Sequence, residues 1–201
     1  MSGQISIAIS TSSTQMNWPN LPPLQYPTMT VGGLAIPPYS DTGFPNGFWL
    51  VVFDVTKDIP TPASFLVNEC FGIPQDGSGS WALLYDSMYA SIVTTLLSAG
   101  NPANQLVILA SYGLDMDMAP DNDAYALLLS YGAGPQLQEW VSGCDPGSMS
   151  AWVGIPANYL FVGFGGAGYG GGSEIYQQSF PSVSSSLNLA LSPDTRELRP
   201  A

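Results

Sequence analysis

The chain of 201 residues contains no histidine. Histidine is the commonest general base and the commonest metal ligand, so its absence excludes Ser-His-Asp and Cys-His catalysis and histidine metal sites. Cysteine is scarce too, and Cys70 and Cys144 alone do not make a zinc site. Their spacing is compatible with one disulfide or with two buried free thiols. We therefore expect a protein that is not an enzyme.

Basic residues are almost missing as well. The chain has 3 Lys and Arg residues against 15 Asp and Glu residues, a formal net charge of -12. A protein without a basic patch cannot displace counterions from a nucleic-acid backbone, and it is repelled by anionic membranes. Charged residues make up only 9% of the chain, against about a quarter in ordinary soluble domains. We expect an uncharged polar surface whose partners are neutral molecules or other protein surfaces.

Long apolar runs are also absent. No stretch reaches about 18 consecutive apolar residues, the length that indicates a transmembrane helix. Residues 1–7 show neither the basic nor the apolar region of a secretory signal peptide. We predict a protein that stays in the cytoplasm or leaves it by a route other than Sec secretion, such as release within a virion or another extracellular particle.

Glycine and proline, in contrast, are abundant at 22 and 18 residues, which favours short strands and many turns. The prolines of residues 1–45 predict an extended Pro-rich N-terminal arm. Trp18 and Tyr26 are interleaved with them, and an apolar arm of this kind lies either on its own domain or on a neighbouring subunit. Residues 46–180 are predicted as one globular domain, and residues 181–201 as a Ser-rich tail.

Apolar runs and their spacing predict the elements of the globular domain. We expect strands at 48–53, 63–71, 105–110, 151–155, 159–164 and 174–180, with a weak strand at 187–191 in the tail. We expect helices at 88–97, 124–131 and 136–141. This order predicts an α/β fold in which helices pack on sheets, rather than an all-β sandwich.

A resemblance to a known family runs through several short segments in a fixed order. The segments are NGFWLVVFD at 46–54, ASFLV at 63–67, LVILAS at 106–111, ALLLSYGA at 126–133 and YLFVGFGG at 159–166. Together they make residues 46–178 resemble the interleukin-like EMT inducer (ILEI) domain. The resemblance implies a mixed β-sandwich with flanking helices and no catalytic apparatus. It also implies kinship with secreted signalling proteins and with domains that bind glycans.

The chain departs from that family at two positions. The basic residue that relatives often carry before the late strand has no counterpart in residues 148–152. The lysine of the late strand is replaced by Gly165. A sugar site that depends on those cations is therefore not expected here.

Four carboxylates, Asp115, Asp117, Asp121 and Asp123, form the densest acidic cluster. Ca²⁺ prefers several close oxygen ligands, so the cluster is a candidate calcium site, although Pro120 and Ala126 occupy positions that an EF-hand needs for Gly and Glu. A glycosidase-type carboxylate pair is a second interpretation. The third is a solvated loop in which Asp121 or Asp123 caps the helix that follows. No other cofactor is indicated.

Residues 163–172 are rich in glycine but match neither the dinucleotide fingerprint nor the P-loop. They are either a flexible hairpin connection or a contact loop with Tyr169 at its tip, suited to a sugar or a protein partner. Trp81 follows a Gly/Ser-rich stretch and is the tryptophan that we expect to form an exposed platform. Trp49 and Trp152 lie in apolar runs and are expected to be buried.

These features lead to one functional prediction and two alternatives. We predict a non-enzymatic structural or adhesive component of an assembly, such as the tail or surface decoration of a phage or virus particle. Its arm would dock on neighbouring subunits in a homo-oligomer, with glycans as a second class of partner and with neither nucleic-acid binding nor membrane insertion. The alternatives are a stand-alone glycan-binding module and a secreted, cytokine-like signalling protein.

Overall fold

The computed structural model describes residues 4–14, 26–38, 46–73, 81–115, 118–144, 155–179, 181–192 and 194–201, without the side chains of 81–83 and 115. The strands are β1 (Ile5–Thr14), β2 (Thr28–Val31), β3 (Leu34–Ile36), β4 (Gly47–Asp54), β5 (Phe65–Gly72), β6 (Gln105–Tyr112), β7 (Leu114–Asp115), β8 (Pro156–Phe164), β9 (Ser173–Gln178), β10 (Ser182–Ser192) and β11 (Glu197–Pro200). The helices are α1 (Trp81–Ser98), α2 (Asn122–Ser130) and α3 (Pro135–Gly143).

The strands form two antiparallel sheets. The first has five strands in the order β11-β10-β1-β2-β3. The second has six strands, in the order β5-β4-β6-β8-β7 with β9 also paired to β8. The predicted β-rich fold with flanking helices is confirmed at this level. The pairings of the described strands are antiparallel, however, whereas the family resemblance implies mixed sheets.

Two apolar clusters define three layers. One cluster joins inward residues of the five-stranded sheet, such as Ile7 and Leu189, to one face of the six-stranded sheet, where Trp49 and Ile108 lie. The other cluster joins the opposite face of the six-stranded sheet to the helices. The six-stranded sheet is therefore the middle layer, between the five-stranded sheet and the helices.

The middle layer explains the continuous apolar runs of the sequence. Every residue of β6 and β8 is buried, as are residues 47–53 of β4. Successive side chains alternate between the two clusters: Trp49 and Val51 face the five-stranded sheet, and Phe48 and Leu50 face the helices. A strand covered on both faces is apolar at nearly every position, so these strands could be predicted from the sequence.

The predicted arm and tail differ most from the structure. Residues 5–14, 28–31 and 34–36 form β1, β2 and β3, and β1 pairs with β10 along its whole length, from Ile5 opposite Leu191 to Thr14 opposite Ser182. The arm was predicted to lie either on its own domain or on a neighbouring subunit, and these described segments lie on their own domain. The predicted tail likewise contributes two paired strands, β10 and β11. Burial of alternate apolar side chains against the middle layer is the physical reason.

The predicted helices are confirmed with shifted boundaries. α1 begins at Trp81, ahead of the predicted start, and ends at Ser98 before Gly100 and Pro102. The predicted strand at 151–155 falls almost entirely outside the described residues. No helix in the described part of the chain is long and apolar enough to cross a membrane.

Candidate functional site

The acidic cluster is divided between two elements. Asp121 is the N-cap of α2, and its carboxylate accepts a hydrogen bond from the backbone N–H of Ala124 at 2.8 Å, as one of the interpretations predicted. Asp123 is exposed in the first turn of the same helix. Asp115 lies in β7, but its side chain and all of Asp117 are outside the described residues. Among the side chains that are described, no group of three or more acidic, His or Cys residues could hold a metal ion.

The tryptophan and cysteine side chains that the structure describes lie mainly in the core, whereas Trp152, predicted to be buried, is outside the described residues. Trp49 is fully buried, as predicted, and its indole N–H donates to the Oδ1 atom of Asn68 at 2.7 Å. Trp81 is the first residue of α1, and its side chain is outside the description. Cys70 and Cys144 are both free thiols, but only Cys70 is buried and Cys144 is half-buried, so the alternative of two buried thiols holds for Cys70 alone. Burial raises the pKa of the Cys70 thiol to about 11.

The Gly-rich segment joins β8 to β9 as a hairpin, as predicted, and it is held against the turn between α2 and α3. Its backbone N–H groups at Gly166, Gly170 and Gly172 donate to the carbonyls of Ser130, Ala133 and Gly132. A Cβ atom built on Gly132 would lie 2.6 Å from the backbone nitrogen of Gly172. Only glycine permits this close approach of two backbones, and the three hydrogen bonds hold the loop against the turn.

Tyr169 stands at the tip of this loop. Its side chain is 59% exposed, and its hydroxyl donates to the Oε1 atom of Gln138 in α3 at 2.9 Å. Its neighbours Gly168 and Gly170 both have φ +72°, a conformation that other residues rarely adopt. The ring is thus presented to solvent while its outer end is fixed by a hydrogen bond.

Glu174 of β9 binds the N-terminus of α3. Its carboxylate accepts hydrogen bonds from the backbone N–H groups of Gly134 and Gln136, both at 2.9 Å, and of Leu137 at 3.2 Å. The hydroxyl of Tyr159 donates to the same carboxylate at 2.8 Å. A carboxylate at this position neutralises the positive end of α3 and satisfies its free N–H groups. Burial, and secondarily Glu174, raises the pKa of Tyr159 well above its usual value.

Sequence reasoning missed the outer face of the five-stranded sheet. Along β1 and β10, alternate residues point away from the core and are small and uncharged. We call this surface the neutral face. Its residues on β1, β2 and β10 are Ser6, Ala8, Ser10, Ser12, Thr14, Thr28, Thr30, Ser182, Ser184, Ser186, Asn188 and Ala190. The signal in the sequence was the period-two alternation of Ile with Ser or Ala at residues 5–10.

The neutral face contains an open depression of about 550 Å³. Ser10, Thr11, Ser12, Tyr26, Thr28, Ser184, Ser185 and Ser186 line it. The hydroxyls of Ser10 and Thr28 are 2.6 Å apart and share a hydrogen bond. The hydroxyl of Tyr26 is buried and has no hydrogen-bond partner among the described residues. Each lining side chain carries a hydroxyl group and none carries a charge.

Charge is segregated on the molecule. The strands β1, β2, β3 and β10 contain no charged residue, although the chain carries a net charge of -12. The edge strand β11 has Glu197 and Arg199, which form an ion pair at 2.6 Å. The remaining described carboxylates lie on other segments, at residues 54, 58, 69, 86, 121, 123, 139, 174 and 194. Among the described residues, the neutral face is thus a broad surface without carboxylates, which another copy of this acidic chain could approach with little electrostatic repulsion.

A buried polar cluster holds the two sheets together beneath the depression. The Nδ2 group of Asn158 in β8 donates to the carbonyl of Val183 at 3.1 Å and to the hydroxyl of Ser185 at 3.3 Å. Its Oδ1 atom accepts from the hydroxyl of Ser13 at 2.6 Å. The hydroxyl of Thr11 donates to the carbonyl of Ser111. These bonds explain how inward positions of β1 and β10 can carry hydroxyl residues in place of apolar ones.

Comparison with known proteins does not place the chain in a family: no protein-family model matches it, and no curated protein matches it in sequence.

Proposed function

We propose that this protein is a non-enzymatic structural or adhesive component of a homo-oligomeric assembly, in which copies of the chain dock on one another through the neutral face. The observation that carries the proposal is the absence of charge from β1, β2, β3 and β10 in a chain of net charge -12. Two such copies repel each other wherever their carboxylates meet. Repulsion is weakest where neither copy carries them.

The composition of the neutral face also favours docking. Serine, threonine and alanine lose little side-chain entropy when a partner covers them. Their hydroxyl groups can both donate and accept, so they can pair with an identical surface. From strand spacing and rise, β1 and β10 with their neighbours present on the order of 500 Å² per copy. Two copies would bury roughly 1,000 Å², about the minimum for a specific interface.

The setting that fits this proposal is a particle built from many copies, such as the tail or surface decoration of a phage or virus. Docking would use the sheet that contains residues 5–14 and 28–36, rather than a separate arm. The layer of helices would then face away from the contact. The resemblance to ILEI domains supports a module without catalytic apparatus. Because that family includes secreted signalling proteins, a secreted, cytokine-like role is an alternative.

The test is the solution mass of the chain, measured by light scattering over a range of concentrations. Ser186 lies opposite Ser10 in the middle of the neutral face, and Ser186→Glu places a carboxylate there. We expect the unmodified chain to form a defined oligomer or polymer and the Ser186→Glu variant to be a monomer. Ser91→Glu is the matched control, because Ser91 is exposed on α1 in the opposite layer.

Three outcomes contradict the proposal. The unmodified chain is a monomer at all concentrations, or both variants keep its mass, or both lose it equally. A monomeric chain that binds an oligosaccharide would instead favour the stand-alone glycan-binding module, for which the hydroxyl-lined depression is the supporting observation.

A further inference from the structure

We propose that Tyr169 is a stacking platform for a neutral saccharide ring. The site lies at the tip of the Gly-rich loop and not on the neutral face, so this inference does not depend on the docking proposal. An exposed aromatic ring that is held in one orientation loses little entropy when a ligand covers it. Tyr169 meets this condition, because its hydroxyl is bonded to Gln138 and its loop is fixed by backbone hydrogen bonds to the turn between α2 and α3.

The space around the ring suits a flat ligand. Tyr169 is 59% exposed, and a Cβ atom built on Gly166, Gly168 or Gly170 would meet no atom within 4 Å, so nothing crowds the loop at these three positions. The adjacent residues on the chain, Gly168 and Gly170, have no side chain that could cover the ring. An anchoring aromatic residue at a protein interface is instead surrounded by side chains that exclude water. The open arrangement favours a ring that stacks on Tyr169 over a protein pocket that encloses it.

The polar groups near the ring favour an uncharged ligand. Gln138 offers an amide group beside the tyrosine hydroxyl, and amides can hydrogen-bond to sugar hydroxyls. Glu139 is exposed next to it in α3, and Glu174 is already bonded to three backbone N–H groups and Tyr159. Carboxylates disfavour sulfated or sialylated sugars, because like charges repel. Neutral hexose, pentose and N-acetylhexosamine polymers are the ligand class that remains.

The test is saturation-transfer NMR with a panel of neutral hexasaccharides: cellohexaose, xylohexaose, mannohexaose, maltohexaose and chitohexaose. We expect at least one of them to bind the full chain. Tyr169→Ala should weaken its Kd about tenfold, as expected for the loss of one stacked ring. Tyr169→Phe keeps the ring but loses the bond to Gln138 that orients it, so its Kd should weaken by an intermediate amount, about threefold.

Leu97→Ala is the matched control, because Leu97 is a large apolar side chain of α1 with the same 59% exposure, and its removal should leave binding unchanged. Both side chains are exposed, so we expect both variants to keep the fold, and circular dichroism checks this. Absence of binding by all five sugars overturns the proposal, as does binding that Tyr169→Ala does not weaken. A changed solution mass in Tyr169→Ala, without loss of sugar binding, would assign Tyr169 to a protein contact instead.

Discussion

The two sheets differ in how many of their faces are covered by other elements, and this difference distinguishes the sheet at the centre of the core from the sheet that presents a surface. The six-stranded sheet is covered on one face by the helices and on the other by the five-stranded sheet. Among the described residues, the five-stranded sheet is covered on its inner face alone. The outer face of β1, β2 and β10 consists of small uncharged residues, and the edge strand β11 adds the Glu197–Arg199 ion pair. The two faces of the first sheet are therefore part of the core. The second sheet also presents a broad surface, and the proposed contact between copies depends on the lack of carboxylates along β1, β2 and β10.

The largest effect expected from this comparison is the loss of the five-stranded sheet. Deletion of residues 1–45 removes β1 from its centre, together with the buried residues Ile7, Ile9, Met29, Val31 and Ile36. At about 1.5–3 kcal/mol for each buried side chain, the loss is roughly 8–15 kcal/mol, as large as the total stability of a typical domain. We expect the truncated chain to be unfolded by circular dichroism and denaturant titration.

A deletion of residues 194–201 is the control for that experiment. It removes only β11, an edge strand whose residues are mostly exposed. This chain should keep a cooperative unfolding transition. If the chain without residues 1–45 also unfolds cooperatively, β1 to β3 are not an integral part of the fold.

The next largest effect concerns the polar cluster between the sheets. Asn158→Ala removes the donors to Val183 and Ser185 and leaves the Ser13 hydroxyl without its acceptor. An unsatisfied buried group costs about 1–3 kcal/mol, so we expect a loss of at least about 2 kcal/mol in the free energy of unfolding. Asn188→Ala provides the comparison within the same residue type, because Asn188 is exposed on the neutral face.

Asn188→Ala should change the free energy of unfolding by less than about 0.5 kcal/mol. Equal effects of the two asparagine substitutions, measured by urea denaturation, would show that the cluster does not join the sheets. A large effect at Asn158 alone would confirm that the sheets are joined by hydrogen bonds as well as by the apolar cluster.

The middle layer could be predicted from the sequence, because burial on both faces produces uninterrupted apolar runs in β4, β6 and β8. The cap of α2 by Asp121 could be predicted too, since capping is a local interaction. The outer sheet was only partly predictable. The alternation in β1 is lost after Ile9, since the inward Thr11 and Ser13 are hydroxyl residues. Their partners, Ser111 and Asn158, are 100 and 145 residues away along the chain.

Tyr169 and the neutral face also differ in how far they could be predicted from the sequence. An exposed Tyr169 could be predicted from the glycines around it, because they leave no apolar neighbours to bury the ring. The bond from its hydroxyl to Gln138 could not, since it depends on how the loop packs against α3. The neutral face required both the pairing of β1 with β10 and the knowledge of which side faces the core. Pairing between strands so distant in sequence leaves no local pattern.

The most direct test of the central claim is whether the neutral face becomes covered when the chain assembles. Ser186→Cys, in a chain that also carries Cys144→Ser, places one reactive thiol on that face. The remaining thiol, Cys70, is buried and has its pKa raised to about 11, so it stays protonated and unreactive near neutral pH. Ser91→Cys in the same background places the thiol on α1 instead. We predict that the rate of N-ethylmaleimide labelling at residue 186 falls as protein concentration rises, while the rate at residue 91 stays constant. A labelling rate at residue 186 that stays constant with protein concentration, or one that falls to the same extent at residue 91, would contradict the account.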